Sequence, residues 1–190
     1  MLLVLSAPSG SGKTTLMGEL LEADPRLVRS ISMTTRSPRP GERDGREYYF
    51  VTPAQFAAER RQRGFIEYAQ VLNHWYGTPR RFIDAARRRG RDVLLGIDVQ
   101  GARKLRQSGY PAVTIFIQSP GVNVLRQRLQ RRGTETPAQI RARLTLARRE
   151  LRCVPEYEYV VINDRLSDAV AHLRAIITAE RCRVRPAWTV

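Results

Sequence analysis

Lysine, histidine and cysteine are scarce in this 190-residue chain, and each shortage excludes a class of chemistry. Cys153 and Cys182 stand far apart, in neither a C-x-x-C nor a paired-ligand spacing, which argues against a disulfide framework or a zinc site and for a reducing compartment. His74 and His172 are isolated, so a histidine-built metal centre or a Ser/His/Asp triad lacks its parts. No apolar run is long enough to span a bilayer, and no charged segment leads into a signal-type core; a cytoplasmic setting with no membrane partner is expected. Lys13 and Lys104 are the only lysines, so the formal charge of +15 is carried almost wholly by arginine. A guanidinium fork matches phosphate oxygens two at a time, which favours phosphate-bearing partners. Most of these arginines read as solvated surface charge, so nucleotides are expected and nucleic acid is not.

What the chain does hold is a phosphate loop. The apolar run Leu2–Leu5 leads through Ser6 into Ala7-Pro8-Ser9-Gly10-Ser11-Gly12-Lys13-Thr14-Thr15, and Leu16, Leu20 and Leu21 follow at helical spacing. A strand feeding a small-residue turn and then a helix leaves successive backbone N–H groups directed at an anion, at the positive end of the helix dipole. Gly10 and Gly12 permit close backbone approach, Lys13 reaches β- and γ-phosphates, and the Thr14 hydroxyl suits Mg²⁺. The pattern departs from G-x-x-x-x-G-K-[ST] only where Ala7 replaces the first glycine.

With 42% hydrophobic residues, the chain has enough apolar content for one domain with a full core. β-rich runs at Leu2–Ser6, Asp92–Ile97, Ala112–Ile117 and Tyr159–Asn163, each followed by a helical pattern, predict an α/β fold with a parallel sheet covered on both faces. Between the first helix and Asp92 the texture changes. Arg36 to Arg46 is rich in proline, glycine and charge, strands are expected at Tyr48–Val51 and Phe65–Val71, and Thr52-Pro53 reads as the cap and first turn of a helix to about Arg63. Residues 32–82 are therefore expected to form a small inserted α+β lobe. In 121–152 a helix over Val122–Gln130 and another from Thr136-Pro137, with Gln139 closing a capping box, predict a helical lid. The core is then 1–31, 83–120 and 153–190, with the tail from Arg181 to Pro186 a solvated, fraying helix end.

The chain resembles a guanylate kinase over nearly its whole length. The matching residues are Ser6 to Thr14, Thr34-Thr35-Arg36-Ser37-Pro38-Arg39-Pro40-Gly41-Glu42, Gly45 to Phe50, Phe65-Ile66-Glu67, Tyr76-Gly77-Thr78, Ile97-Asp98-Val99-Gln100-Gly101, Arg132-Gly133-Thr134 and Ile162-Asn163-Asp164. The resemblance implies a P-loop nucleoside monophosphate kinase fold and ATP-dependent phosphorylation of GMP, and of dGMP, to GDP with Mg²⁺, in purine nucleotide metabolism. It places Arg36, Arg39, Tyr48 and Tyr76 on the GMP phosphate, with Ser32 beside the same substrate. It places Arg132 and Arg143 of the lid over the transferring group, with Arg128 one turn before Arg132, and Asn163 near the ATP adenine. Asp98 falls where a carboxylate can reach the Mg²⁺ shell or orient an arginine. The family usually has a second acid two positions earlier, where this chain has Gly96.

Transfer between two polyanions needs several fixed cations and little covalent chemistry from the protein, which arginine supplies. Base choice is expected to rest on Glu67 and Thr78. Guanine presents N1–H and an exocyclic amine side by side, which one carboxylate accepts together, while a hydroxyl donates to O6; adenine offers neither. Strand alternation taken alone would turn Glu67 outward, between Ile66 and Tyr68. Two other readings stay open: a catalytically weak guanylate-kinase-like binding module, which would lack the phosphate loop and the lid arginines, and a P-loop sugar-phosphate kinase, which would need neither Glu67 nor Thr78.

Overall fold

Strand β1 (Leu2–Ser6) is buried at every residue, as an unbroken apolar run must be when both faces of its sheet are covered. In order along the chain come α1 (Lys13–Ala23), β2 (Leu27–Arg29), β3 (Met33–Thr34), β4 (Tyr49–Phe50), α2 (Pro53–Arg61), β5 (Phe65–Val71), β6 (His74–Pro79) and α3 (Arg80–Arg88). Next are β7 (Asp92–Gly96), α4 (Val99–Gln107), β8 (Val113–Gln118), α5 (Val122–Arg131), α6 (Pro137–Leu151), β9 (Tyr159–Ile162) and α7 (Leu166–Cys182). These elements come from a computed structural model that describes residues 1–39, 41–71, 73–131 and 136–184. Among the described residues, no helix is long and apolar enough to cross a membrane.

The main sheet is parallel, in the order β2-β7-β1-β8-β9, so β1 is its central strand. Alternation along β1 divides its side chains between two cores. Leu3 and Leu5 join Leu16, Leu20, Leu173 and Ile177 beneath α1 and α7, while Leu2 and Val4 join Ile83, Ala102 and Leu105 beneath α3 and α4. All five strands end at one edge, so the phosphate loop after β1, Asp98 after β7 and Asn163 after β9 are delivered to the same side.

A second, four-stranded sheet, β4-β3-β6-β5, is mixed: β3 and β4 run parallel, while β6 is antiparallel to both β3 and β5. It has its own small core of Met33, Phe56 and Phe65 with Tyr49 and Trp75 packed against it; the Phe56 and Phe65 rings stack at 4.6 Å. Thr52 and Gln55 form the reciprocal cap that starts α2. Helices α5 and α6 form a third unit, with Leu125, Leu129, Ile140, Leu144 and Ala147 buried between them and a Thr136/Gln139 capping box at the start of α6.

Three strands were not foreseen in the sequence. β2 and β3 are three and two residues long, and β6 carries Gly77 and Pro79, which mask a strand pattern. The expected solvated tail is corrected in part: Arg181 is half-buried and bridges Asp24 and Asp92 at 2.6 and 2.7 Å, because α7 packs back on α1. Residues from Arg185 onward lie outside the described residues.

Candidate nucleotide site

Two left-handed glycines shape the phosphate loop. Gly10 and Gly12 have φ of +90° and +88°, and Cβ atoms there would fall 3.0 Å from Leu125 Cδ1 and 2.4 Å from Asn163 Nδ2. Gly12 starts α1 with no side-chain cap, so the N–H groups of the first turn remain available to an anion. Thr14 and Thr15 lie exposed on that turn. Ala7, at the one departure from the glycine pattern, is buried in the core beside α1, and Pro8 is buried with it. The Asn163 amide donates to the Ser11 carbonyl at 2.8 Å, bracing the loop from behind. From the lid unit, Arg143 Nη1 donates to Ser9 Oγ at 2.6 Å.

The Lys13 ammonium donates to the Ile97 carbonyl at 2.9 Å. The residue is half-buried, but its charged end is enclosed, and burial brings its pKa down from 10.5 to about 8, with Asp98 and Glu150 acting in the opposite direction. Asp98 caps α4 by accepting from the Gly101 N–H at 2.8 Å. A Cβ at Gly96 would meet Met17 Sδ at 2.6 Å, so a side chain there would require the flexible end of Met17 to shift.

A cavity of about 290 Å³ opens between the two sheets. Lys13, Gly96, Ile97 and Asp98 line it from the core, while Ser32, Arg36, Arg39, Glu42, Tyr48, Glu67 and Tyr76 are among the residues lining it from the smaller sheet. The cationic end is built around Arg36. Its Nε donates to the Tyr76 hydroxyl at 3.2 Å, its Nη2 donates to Glu42 at 2.9 Å, and its guanidinium lies 5.5 Å from the centre of the Tyr48 ring. Glu42 also accepts from the Arg39 backbone N–H at 2.8 Å, so it orders both arginines.

At the other end Thr78 Oγ1 donates to Glu67 Oε1 at 2.5 Å, with both residues buried. Next to a bulge between Phe65 and Glu67, Phe65 is buried in the core of the smaller sheet and Ile66 against α4, and from Glu67 on the strand alternates, Glu67, Ala69 and Val71 lining the cavity while Tyr68 and Gln70 are exposed. Burial pushes the Glu67 carboxyl up from 4.5 to about 7; the Thr78 hydrogen bond opposes this, Asp98 adds to it, and Lys104 opposes it.

The cavity therefore collects the expected substrate residues, Thr78 joining them through Glu67. Thr14, Ser9 and Arg143 lie on the loop and lid side. Arg132 lies outside the described residues. Arg128 donates to the Asn163 carbonyl at 2.9 Å, while Arg131, Arg141, Arg148 and Arg149 are exposed. Two acidic residues were missed. Glu42 sits in a matching motif, but nothing in its spacing marks it as the partner of Arg36. Glu150 is buried on α6, and burial together with Asp98 pushes its carboxyl up to about 7 against the pull of Lys13. Its signal was legible: an acid three positions after Ala147, on the stripe of Ile140 and Leu144, falls on an inward helix face.

Comparison with known proteins gives a consistent result. A family described as guanylate kinase matches residues 1–180. Guanylate kinase from Bordetella pertussis is 50% identical over 177 residues, 93% of this chain and 82% of that protein. The Thermus thermophilus guanylate kinase is 48% identical over 182 residues, 96% of this chain and 82% of that one. A crystal structure of guanylate kinase from Anaplasma phagocytophilum superposes with a TM-score of 0.79 at 33% identity, covering 97% of this chain and 87% of the other.

Proposed function

The chain belongs to the guanylate kinase family, and from that premise we propose how its own residues divide the work of moving a phosphoryl group from ATP to GMP. The overall reaction breaks the bond between the γ-phosphorus of ATP and its bridging oxygen, forms a bond from a GMP phosphate oxygen to that phosphorus, and releases ADP and GDP. The acceptor phosphate is largely a dianion at neutral pH, its second pKa lying near about 6, so the step calls for charge neutralisation and alignment rather than a strong base.

One observation carries the assignment. A single cavity joins Lys13 and Asp98 of the core to Arg36, Arg39, Tyr48, Tyr76 and Glu67 of the smaller sheet. In this scheme residues 7–15 hold the ATP phosphates through loop amides, and Lys13 bridges to the γ-phosphoryl group. Arg36 and Arg39, with the Tyr48 and Tyr76 hydroxyls, hold the GMP phosphate in line, with Ser32 beside it. Glu67 accepts from N1–H and the exocyclic amine of guanine, and Thr78 turns its hydroxyl from Glu67 to O6. Arg143, and Arg132 outside the described residues, screen the transferring charge from the lid. Asn163 acts here through the Ser11 carbonyl, as a brace for the ATP loop. The division into core, monophosphate lobe (32–82) and lid (121–152) is supported by the separate cores of the latter two.

Mg²⁺ fits the donors present. Among the described residues no three His, Cys, Asp or Glu side chains are grouped to hold a metal. Mg²⁺ keeps several waters and binds through one or two carboxylates and the substrate phosphates rather than a protein cage, and Asp98 and the exposed Thr14 hydroxyl are donors of that kind. Thr14 and Asp98 would hold it, Asp98 through the oxygen not used in capping α4. Bound there it would supply charge neutralisation at the β- and γ-phosphates.

An assay coupled to ADP release, with GMP, dGMP, AMP, UMP and ribose phosphates as acceptors, tests the assignment. GMP is expected to lead, with dGMP close behind and AMP lower by about 10⁴ in kcat/KM. Equal use of AMP, or preference for a sugar phosphate, would overturn it.

A further inference from the structure

The cationic side chains of this chain are arginines almost everywhere, yet its two lysines occupy parallel positions. Lys13 donates to the carbonyl of Ile97, the residue before Asp98; Lys104 donates to the carbonyl of Tyr68, the residue after Glu67, at 2.9 Å. Each ammonium fixes the backbone next to a carboxylate of the site. The Lys104 ammonium also lies 5.3 Å from the centre of the Tyr68 ring, whose surroundings include the Arg60 guanidinium at 5.9 Å.

Lys104 is part of a seam between α4 and β5 in which three consecutive β5 residues each meet the helix. Ile66 is buried in the cluster that holds Ala102 and Leu105. Glu67 Oε2 reaches so near Gly101 that a Cβ there would be 3.0 Å away. The Tyr68 carbonyl takes the Lys104 hydrogen bond one helical turn beyond Gly101. Pairing of β5 to β6 is irregular between Phe65 and Glu67 and regular from the Glu67–Thr78 pair onward, so Glu67 starts the regular part of the strand. The Glu67 carboxylate is thus held between Thr78 of β6, which donates to Oε1, and the Gly101 turn of α4, which Oε2 abuts.

We propose that Lys104 is a positioning residue for base selection: by holding the Tyr68 carbonyl against α4 it fixes the β5 backbone that aims Glu67 at the two donors of guanine. This rests on the assignment of Glu67 to the guanine edge. Lys104 does not line the cavity and bonds to β5, so in this scheme its influence falls on the GMP base and leaves the ATP loop alone.

Lys104→Met and Lys104→Arg, made in the full chain, separate this role from a general structural one. Steady-state kinetics are read with ATP and GMP varied separately, and with inosine monophosphate, which lacks the exocyclic amine, as alternative acceptor. In Lys104→Met the KM for GMP is expected to rise about fivefold, the scale of one exposed charge-assisted hydrogen bond, with the KM for ATP unchanged. The preference for GMP over inosine monophosphate is expected to fall about threefold, because a misaimed carboxylate loses its second contact first. Arginine, which can still donate to the carbonyl and cover the ring, restores both to within about twofold. An unchanged GMP KM, or a rise shared with ATP at constant base preference, would overturn the proposal. Glu67→Gln run alongside separates the two possible failures. If it loses GMP preference while Lys104→Met keeps it, only the role of Lys104 is wrong; if it keeps that preference, the guanine assignment fails and takes the Lys104 proposal with it.

Discussion

Glu67→Gln removes one negative charge from a buried site while keeping an oxygen to accept from Thr78, and its consequences for stability and for activity run in opposite directions. Moving a carboxyl from 4.5 to about 7 on folding is worth about 3 kcal/mol. The sign follows from proton counts. Below about pH 4.5 the carboxyl is protonated in folded and unfolded chains alike and imposes no penalty. Between 4.5 and 7 the unfolded chain ionises while the folded one holds its proton, so this group's contribution to stability falls as pH rises, and the full penalty stands above about 7. Glutamine escapes it. The variant should therefore be more stable than the parent by about 3 kcal/mol at pH 8, or about 6–12 °C in Tm for a chain of this length, and by under about 1 kcal/mol at pH 5. Its amide nitrogen would face guanine's donors with another donor, so kcat/KM for GMP should fall by at least about 10²-fold. Denaturant unfolding at pH 5 and pH 8, with GMP and AMP kinetics on the same preparations, measures both effects. A stability gain equal at the two pH values, or none at pH 8, would refute the account of Glu67 as a charge buried for function.

The Lys13→Ala protein is expected to fold normally yet lose phosphoryl transfer by at least about 10³-fold, since it removes the loop cation assigned above to the γ-phosphoryl group; activity within about threefold of the parent would refute the loop assignment. Asn163→Ala leaves the Ser11 carbonyl without its donor, at a cost of about 1–3 kcal/mol, and should raise the KM for ATP but not for GMP; a GMP-only effect in the kinetics would contradict a brace behind the ATP loop. Gly96→Asp is expected to be absorbed by a shift of the flexible end of Met17 and to cost under about 1 kcal/mol; a loss of about 3 kcal/mol or more in a thermal melt would show that Met17 cannot yield.

The parallel sheet was legible because its strands are long, apolar and followed by helices: Leu2–Ser6 is read from its composition with the boundaries it has in the structure. The phosphate loop was equally legible, its glycines sitting where a left-handed turn requires them. Helix starts were clear wherever Thr and Pro announced them, as at Thr52 and Thr136. The small sheet was only partly visible, since β3 is two residues long and β6 hides its pattern behind Gly77 and Pro79. Setting Glu67 against its apolar neighbour Ile66 turns it outward; it shares instead the face of Ala69 and Val71, which line the cavity, while Ile66 is buried against α4 on the other side of the strand. Glu42 escaped for another reason: an ion pair six residues apart across a Pro/Gly turn leaves no spacing rule to recognise.

The bond between Thr78 and Glu67 bears on how quickly the enzyme can be used again. On the proposed assignment, a pocket that satisfies its own polar groups gives up an internal hydrogen bond when guanine enters and regains it when guanine leaves. Net affinity for the base is the difference between those two arrangements, so it stays modest even though discrimination against a mismatched base is large. GDP carries the same base as GMP, and any grip on guanine delays departure of the product as much as it favours arrival of the substrate. Selectivity drawn from exchanged bonds rather than from added ones lets the pocket choose its base without slowing its own turnover.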